Sequence, residues 1–164
     1  MSNVVVNIIQ ACFDTLMLTL LLLSAFSDAK TRTISGKLQL SMLVVSVAHL
    51  IFEFIAYPND LWGHPLSCLI TGSFIFIMYI VMVLIMKDKT QIGGADTKIS
   101  SIMGLYLGLD QMVCSVIVHT LTALCYAGYN RYIKKKIVKS VPLMVYMTIG
   151  FVVTKIIYWI VVLL

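Results

Sequence analysis

Asp28 follows the last apolar turn of one long hydrophobic segment, and Asp96 precedes a second, shorter one 68 positions further on. Two carboxylates that share a proton can add water to an amide without a metal. The ionised one takes a proton from water, while the protonated one polarises the carbonyl and later feeds the leaving amine. Like charges at close range split the titration of such a pair into two steps that belong to the pair. Just before Asp96, Gly93, Gly94 and Ala95 are small enough to let a backbone turn sharply and approach a neighbour or an extended substrate closely. This chemistry requires a chain that brings the two aspartates together.

The composition says what kind of chain that is. Of 164 residues, 60% are hydrophobic and 12% charged, against roughly 45–50% and ~25% in an ordinary soluble domain. The 12 Lys+Arg and 7 Asp+Glu gather in short stretches between apolar runs, which excludes a water-soluble globule. Apolar segments at about 4–27, 37–57, 66–86, 98–109, 112–130 and 141–163 predict an all-α, polytopic membrane bundle of six helices. The chain then forms one domain over 1–164. Runs such as Leu18–Leu23 do not alternate, which argues against a membrane β-barrel. No Lys or Arg precedes Lys30 and the first segment is long, so it reads as a retained helix rather than a signal peptide.

Eleven of the twelve basic residues fall in alternate connections: Lys30, Arg32 and Lys37; Lys87, Lys89 and Lys98; then Arg131, Lys134, Lys135, Lys136 and Lys139. The positive-inside rule places these in the cytoplasm and both termini outside, in a cell membrane. Asp28 and Asp96 then share the cytoplasmic interface. The formal net charge of +5 mostly reports this topology. The Lys134–Lys136 cluster suits anionic lipid, and no aromatic platform accompanies it to suggest nucleic acid. Tyr57, Trp62, Tyr158 and Trp159 read as outer-interface anchors, and Tyr126, Tyr129 and Tyr132 as inner ones.

Polar residues inside the apolar segments need partners. Asp14 lies ~21 Å from Asp28 and Lys155 ~20 Å past Pro142 by helical rise. An ionised side chain at mid-bilayer costs ~2.5–3.5 kcal/mol. Their matching depths predict that the first and last helices approach each other with Asp14 and Lys155 as a structural ion pair, an ion or proton path being the functional alternative. His49 and His119 read as packing hydrogen bonders, and Glu53 as near enough to the outer end to reach water. Ser24, Ser100, Ser101 and Ser115 have no base at motif spacing. Cys12, Cys68, Cys114 and Cys125 form no C-x-x-C pair, so a metal site is not indicated. Cys68 and Cys114 both fall near the outer face, a disulfide there being the minor alternative. Gly104 and Gly108 make a G-x-x-x-G step suited to close packing.

Taken together, these strings resemble the aspartic peptidases of the prepilin peptidase family, whose small members include preflagellin and Tad/Flp-type prepilin peptidases. Gly93-Gly94-Ala95-Asp96-Thr97-Lys98 looks like the G-x-G-D signature with its frequent Lys, Ala95 replacing the second glycine. Ser27-Asp28-Ala29-Lys30-Thr31-Arg32-Thr33-Ile34 is similar to the family's other aspartate site, with Ser35-Gly36 where many relatives have Pro-Asn. Val141-Pro142-Leu143 resembles the opening of the last helix. The resemblance implies that Asp28 and Asp96 are catalytic, that Gly93, Gly94 and Ala95 shape the backbone there, and that Lys98 is the motif's basic residue. It implies a prepilin-like substrate with a short basic leader followed by an apolar helix. The chain lacks the paired C-x-x-C region linked to methyl transfer in large relatives, so no S-adenosylmethionine or other cofactor is implied. The competing reading is a small non-enzymatic transport or scaffold protein centred on Asp14 and Lys155.

Overall fold

Along the first helix, buried residues recur at spacings of three and four: Gln10, Asp14, Met17, Leu21, Ser24 and Asp28 form one stripe. Asp14 and Asp28 are 14 residues apart, two heptads, and therefore lie on the same face of α1 (Asn3–Thr31). The opposite face, with Leu16, Leu22, Leu23 and Phe26, is exposed and apolar, as a lipid-facing surface must be. The computed structural model describes residues 3–58, 63–86, 94–133 and 143–163. Trp62, Lys87, Lys89, Gly93, Lys134, Lys135, Lys136, Lys139, Val141 and Pro142 lie outside the described residues.

α1 ends at Arg32, a non-glycine residue with φ of 57°, whose N–H donates to the Asp28 carbonyl at 3.0 Å. This is a left-handed cap of the kind that usually falls to glycine. Ser27 Oγ ties the turn down by donating to the Thr33 carbonyl at 2.8 Å. Ser35 then caps α2 (Gly36–Ala56), its Oγ accepting from the Leu38 N–H at 3.3 Å. The first two helices are thus joined by a tight link that starts one turn beyond Asp28. α3 (His64–Met86), α4 (Gly94–Tyr132) and α5 (Leu143–Leu163) complete the fold. The described residues contain no strand, and all five helices are long and apolar enough to cross a bilayer.

Where the sequence predicts separate helices over 98–109 and 112–130, α4 spans 39 residues in two helical limbs that meet at a break at Gly108. Residues 110–111, predicted as a connection, are helical. Gly108 divides α4 with φ 70° and ψ −179°, a region essentially reserved for glycine. It is therefore a breaker as well as a packing residue. A Cβ there would also lie 3.2 Å from Cys68 Sγ. The limb before Gly108 packs on α3 and α2: Ser101 Oγ donates to the Gly72 carbonyl at 2.7 Å and Ser46 Oγ to the Ile102 carbonyl at 3.4 Å. After Gly108, the second limb lies against α5, with Gly150 abutting Ser115 and the Tyr126 and Tyr146 rings 5.9 Å apart.

The core joins four of the helices through Met17, Leu21, Met42, Met103, Tyr106, Met144, Met147 and Phe151. Flexible methionines fill the irregular gaps between crossing helices. α3 meets α4 through interlocked glycines. A Cβ on Gly72 would fall 2.8 Å from Leu105 Cβ, and one on Gly104 would fall 2.9 Å from Ile75 Cδ1. Gly72→Ala should therefore lower stability by about 1–3 kcal/mol through overpacking. Gly128→Ala, whose added methyl meets nothing within 4 Å, should not. Thermal unfolding of both purified variants in detergent compares the two directly.

Candidate active site

Asp28 lies within the last turn of α1, not beyond it as predicted, and is buried. Its Oδ2 accepts the Met144 N–H at 3.3 Å, so the carboxylate faces the first turn of α5, where unpaired N–H groups and the positive end of the helix dipole favour an anion. Asp96 is likewise inside its helix. It occupies the first turn of α4, and Gly94 and Ala95 begin that helix where a sharp turn was predicted. The Asp96 side chain is half-buried, and its charge interacts with that of Asp28. The packing of α1 against α5, and of α4 against α5 and α2, brings the two carboxyls to one end of the bundle. Lys98 is exposed two residues beyond Asp96. No three His, Cys, Asp or Glu side chains among the described residues are placed to hold a metal ion. Two carboxyls at one end of the bundle, one buried and one half-buried, are the residue types that acid–base hydrolysis of an amide needs.

A second polar cluster occupies mid-depth. Lys155 Nζ lies 3.0 Å from Asp14 Oδ1, both side chains being buried. Tyr106 Oη donates to Asp14 Oδ1 at 2.8 Å, and Trp159 Nε1 donates to Asp14 Oδ2 at 3.0 Å. The ammonium also faces the rings of Tyr106 and Tyr158, at 5.0 and 5.3 Å from their centroids, an arrangement favourable to a desolvated cation. The cluster continues outward. His49 stacks on Tyr106 with centroids 4.3 Å apart and has Nε2 3.4 Å from Glu53 Oε1. Glu53 also accepts from Gln10 Nε2 at 3.1 Å and has Oε2 3.7 Å from His64 Nδ1.

Several sequence expectations change here. Glu53, predicted to reach water, is buried at 2% exposure, because Gln10, His49 and His64 close over it. Trp159, predicted as an interface anchor, is committed to Asp14. Tyr158 accepts from Gln10 at 3.4 Å. Cys68 and Cys114 are both free. His119 Nδ1 lies 3.1 Å from its own helix's Ser115 carbonyl, and Ser100 Oγ donates to the Asp96 carbonyl at 2.9 Å. Tyr106, Gln10 and the Met144 N–H escape the sequence reading. Gln10 had a signal, since it stands one turn before Asp14 on the same face; the Met144 N–H had none, because backbone donors carry no residue type.

The profile of the type IV leader peptidase family matches residues 15–128. This is well over half of the chain and spans both Asp28 and Asp96, so the chain belongs to the type IV leader peptidase family. No curated protein and no solved structure gives a significant match.

Two predictions follow from this geometry. Asp28→Asn keeps an oxygen for the Met144 N–H, whereas Asp28→Ala removes it, so the alanine variant should be less stable than the asparagine variant by about 1 kcal/mol. Denaturation of both proteins in detergent reads the difference. Asp14→Asn, Lys155→Ala and the double variant should be non-additive by about 0.5–3 kcal/mol in the same assay, and additive losses would show that the pair is not energetically coupled.

Proposed function

We propose that the protein is a membrane-embedded aspartic endopeptidase that removes the short basic leader from prepilin-like substrates at the cytoplasmic membrane face, with Asp28 and Asp96 activating water. One observation carries this reading: the matched family region spans Asp28 and Asp96, two carboxyls 68 positions apart in sequence that the packing of α1, α4 and α5 brings to one end of a membrane bundle. Family membership supplies the reaction class, hydrolysis of a leader peptide bond. The ionised carboxyl takes a proton from the attacking water, its partner hydrogen-bonds the scissile carbonyl, and that proton passes to the leaving amine. Atoms balance without a metal or cofactor.

The contacts along α4 support six crossings. The first limb runs alongside α2, with residues 102 and 106 beside 46 and 49, and the second runs opposite to α5, with 115 beside 150 and 126 beside 146. The chain thus reverses at Gly108. Lys30, Arg32, Lys37 and Lys98 cluster in sequence around the two aspartates, which favours the cytoplasm for that end and the outside for both termini. The basic leader would meet Asp28 and Asp96 there, while the apolar helix that follows it stays in the bilayer. Anionic lipid at Lys134, Lys135 and Lys136 belongs to the same topology. The transport reading loses ground because both oxygens of Asp14 are occupied, as a structural lock requires.

A gel-shift assay of a co-expressed prepilin-like protein tests the proposal. Wild type should shorten it, while Asp28→Asn and Asp96→Asn, at matched membrane levels, should lose roughly 10²–10⁴-fold in rate. Full cleavage by either variant would remove that aspartate from the mechanism.

A further inference from the structure

A cleft of about 610 Å³ opens between α2, α3 and the first limb of α4. Leu40 and Leu43 form one wall, Gly72 and Phe76 a second, Ile102 and Leu105 the third. Leu40, Leu43 and Phe76 are 61%, 39% and 47% exposed, so the cleft is open sideways to the surrounding lipid. Among the described residues, Lys98 is the single charged one in its lining. Along α2 the lining runs from Gly36 to Leu43, and along α4 from Lys98 to Leu105, in each case two helical turns or about 10 Å.

One edge of the cleft, at Gly36 and Lys98, lies close in sequence to both candidate catalytic aspartates. Gly36 follows Asp28 through the tight turn held by the Arg32 N–H and Ser27 Oγ, and Lys98 follows Asp96 by two residues on the same helix. Both lead from a candidate catalytic carboxyl to one edge of the opening. Gly36 itself is unexplained by the fold. Its φ is not positive, and a Cβ there would meet nothing within 4 Å. A residue with no backbone or packing need for glycine, at the rim of an open cleft, leaves space for the backbone of another chain.

We propose that this cleft seats the apolar helix of the peptide substrate, with the bond to be cut emerging past Gly36 toward Asp28 and Asp96. The inference rests on the endopeptidase reading. The occupant is a membrane helix because the walls are apolar and open to lipid, and because the edge at Lys98 and Gly36 stands two residues from Asp96 and one short turn from Asp28. A bound apolar helix would present its leader end to the carboxyls as an intramolecular partner, an advantage in orientation that a free peptide in water lacks.

The experiment places a benzophenone amino acid singly at Leu43 or Phe76, and at Val116 or Ile157 on other lipid-exposed faces, in full-length Asp96→Asn protein. Each is irradiated in membranes with a co-expressed protein carrying a basic leader and one apolar helix. Adducts from positions 43 and 76, and none from 116 and 157, are the expected result. Adducts only from 116 and 157, to lipid alone, or to a second copy of this chain overturn the proposal. Wild type is assayed in parallel for cleavage of the same protein. Cleavage without cleft adducts overturns the docking site alone, whereas cleft adducts without cleavage overturn the endopeptidase reading and leave the docking site standing. Gly36→Leu should lower processing by about tenfold or more while leaving the unfolding temperature unchanged, and unchanged processing also counts against the cleft.

Discussion

A carboxylate buried in the middle of a membrane has to be matched in depth by whatever neutralises it. Asp14 is such a group, and the three side chains that reach it come from the other end of the sequence and from its middle: Lys155 and Trp159 of α5, and Tyr106 of α4. Sliding any one of these helices by a single turn would strand a charge or a hydrogen-bonding group in hydrocarbon, at a cost of a few kcal/mol. Helix association in lipid has little hydrophobic driving force of its own. The polar node therefore sets the vertical register of α1, α4 and α5 in a way that the surrounding methionines and leucines, tolerant of many arrangements, cannot.

Register at Asp14 becomes position at the carboxyl pair. Asp28 lies ~21 Å down α1 from Asp14, Asp96 lies ~15 Å from Tyr106 along α4, and Met144 lies ~16 Å from Lys155 along α5. Three rigid rods pinned near one level deliver two carboxyls and a helix N-terminus to the same end of the bundle. The Asp28–Met144 hydrogen bond is the visible meeting of two of these rods. On this account the mid-membrane cluster is the jig on which the candidate active site is assembled.

Much of this was legible in the sequence, for identifiable reasons. The apolar runs were readable because a bilayer demands length and hydropathy, and the two aspartates stood out because charges near such runs are few. The coincidence of Asp14 and Lys155 in depth followed from helical rise alone. What stayed hidden depends on three-dimensional approach. The junction at Gly108 looked like a loop at residues 110–111, because one glycine in an extreme conformation leaves no compositional trace. Glu53 looked exposed because its distance along α2 is small, while its burial comes from Gln10 and His64 on other helices. Trp159 looked like an anchor because a tryptophan near a helix end usually is one.

The contact between Gly72 and Gly104 also has a mechanical meaning. With backbones so close that a methyl group does not fit, α3 and the first limb of α4 have no slack to slide or splay and must travel as one plate. Asp96 is fixed to that plate, while Asp28 is fixed to α1 and the start of α5. Any displacement of Asp96 therefore carries the lipid-facing surface of α3 with it, including Phe74, Ile77 and Ile80. Hydrophobic mismatch between that surface and the surrounding bilayer therefore acts on α3 and the first limb of α4 together, because neither can shift alone.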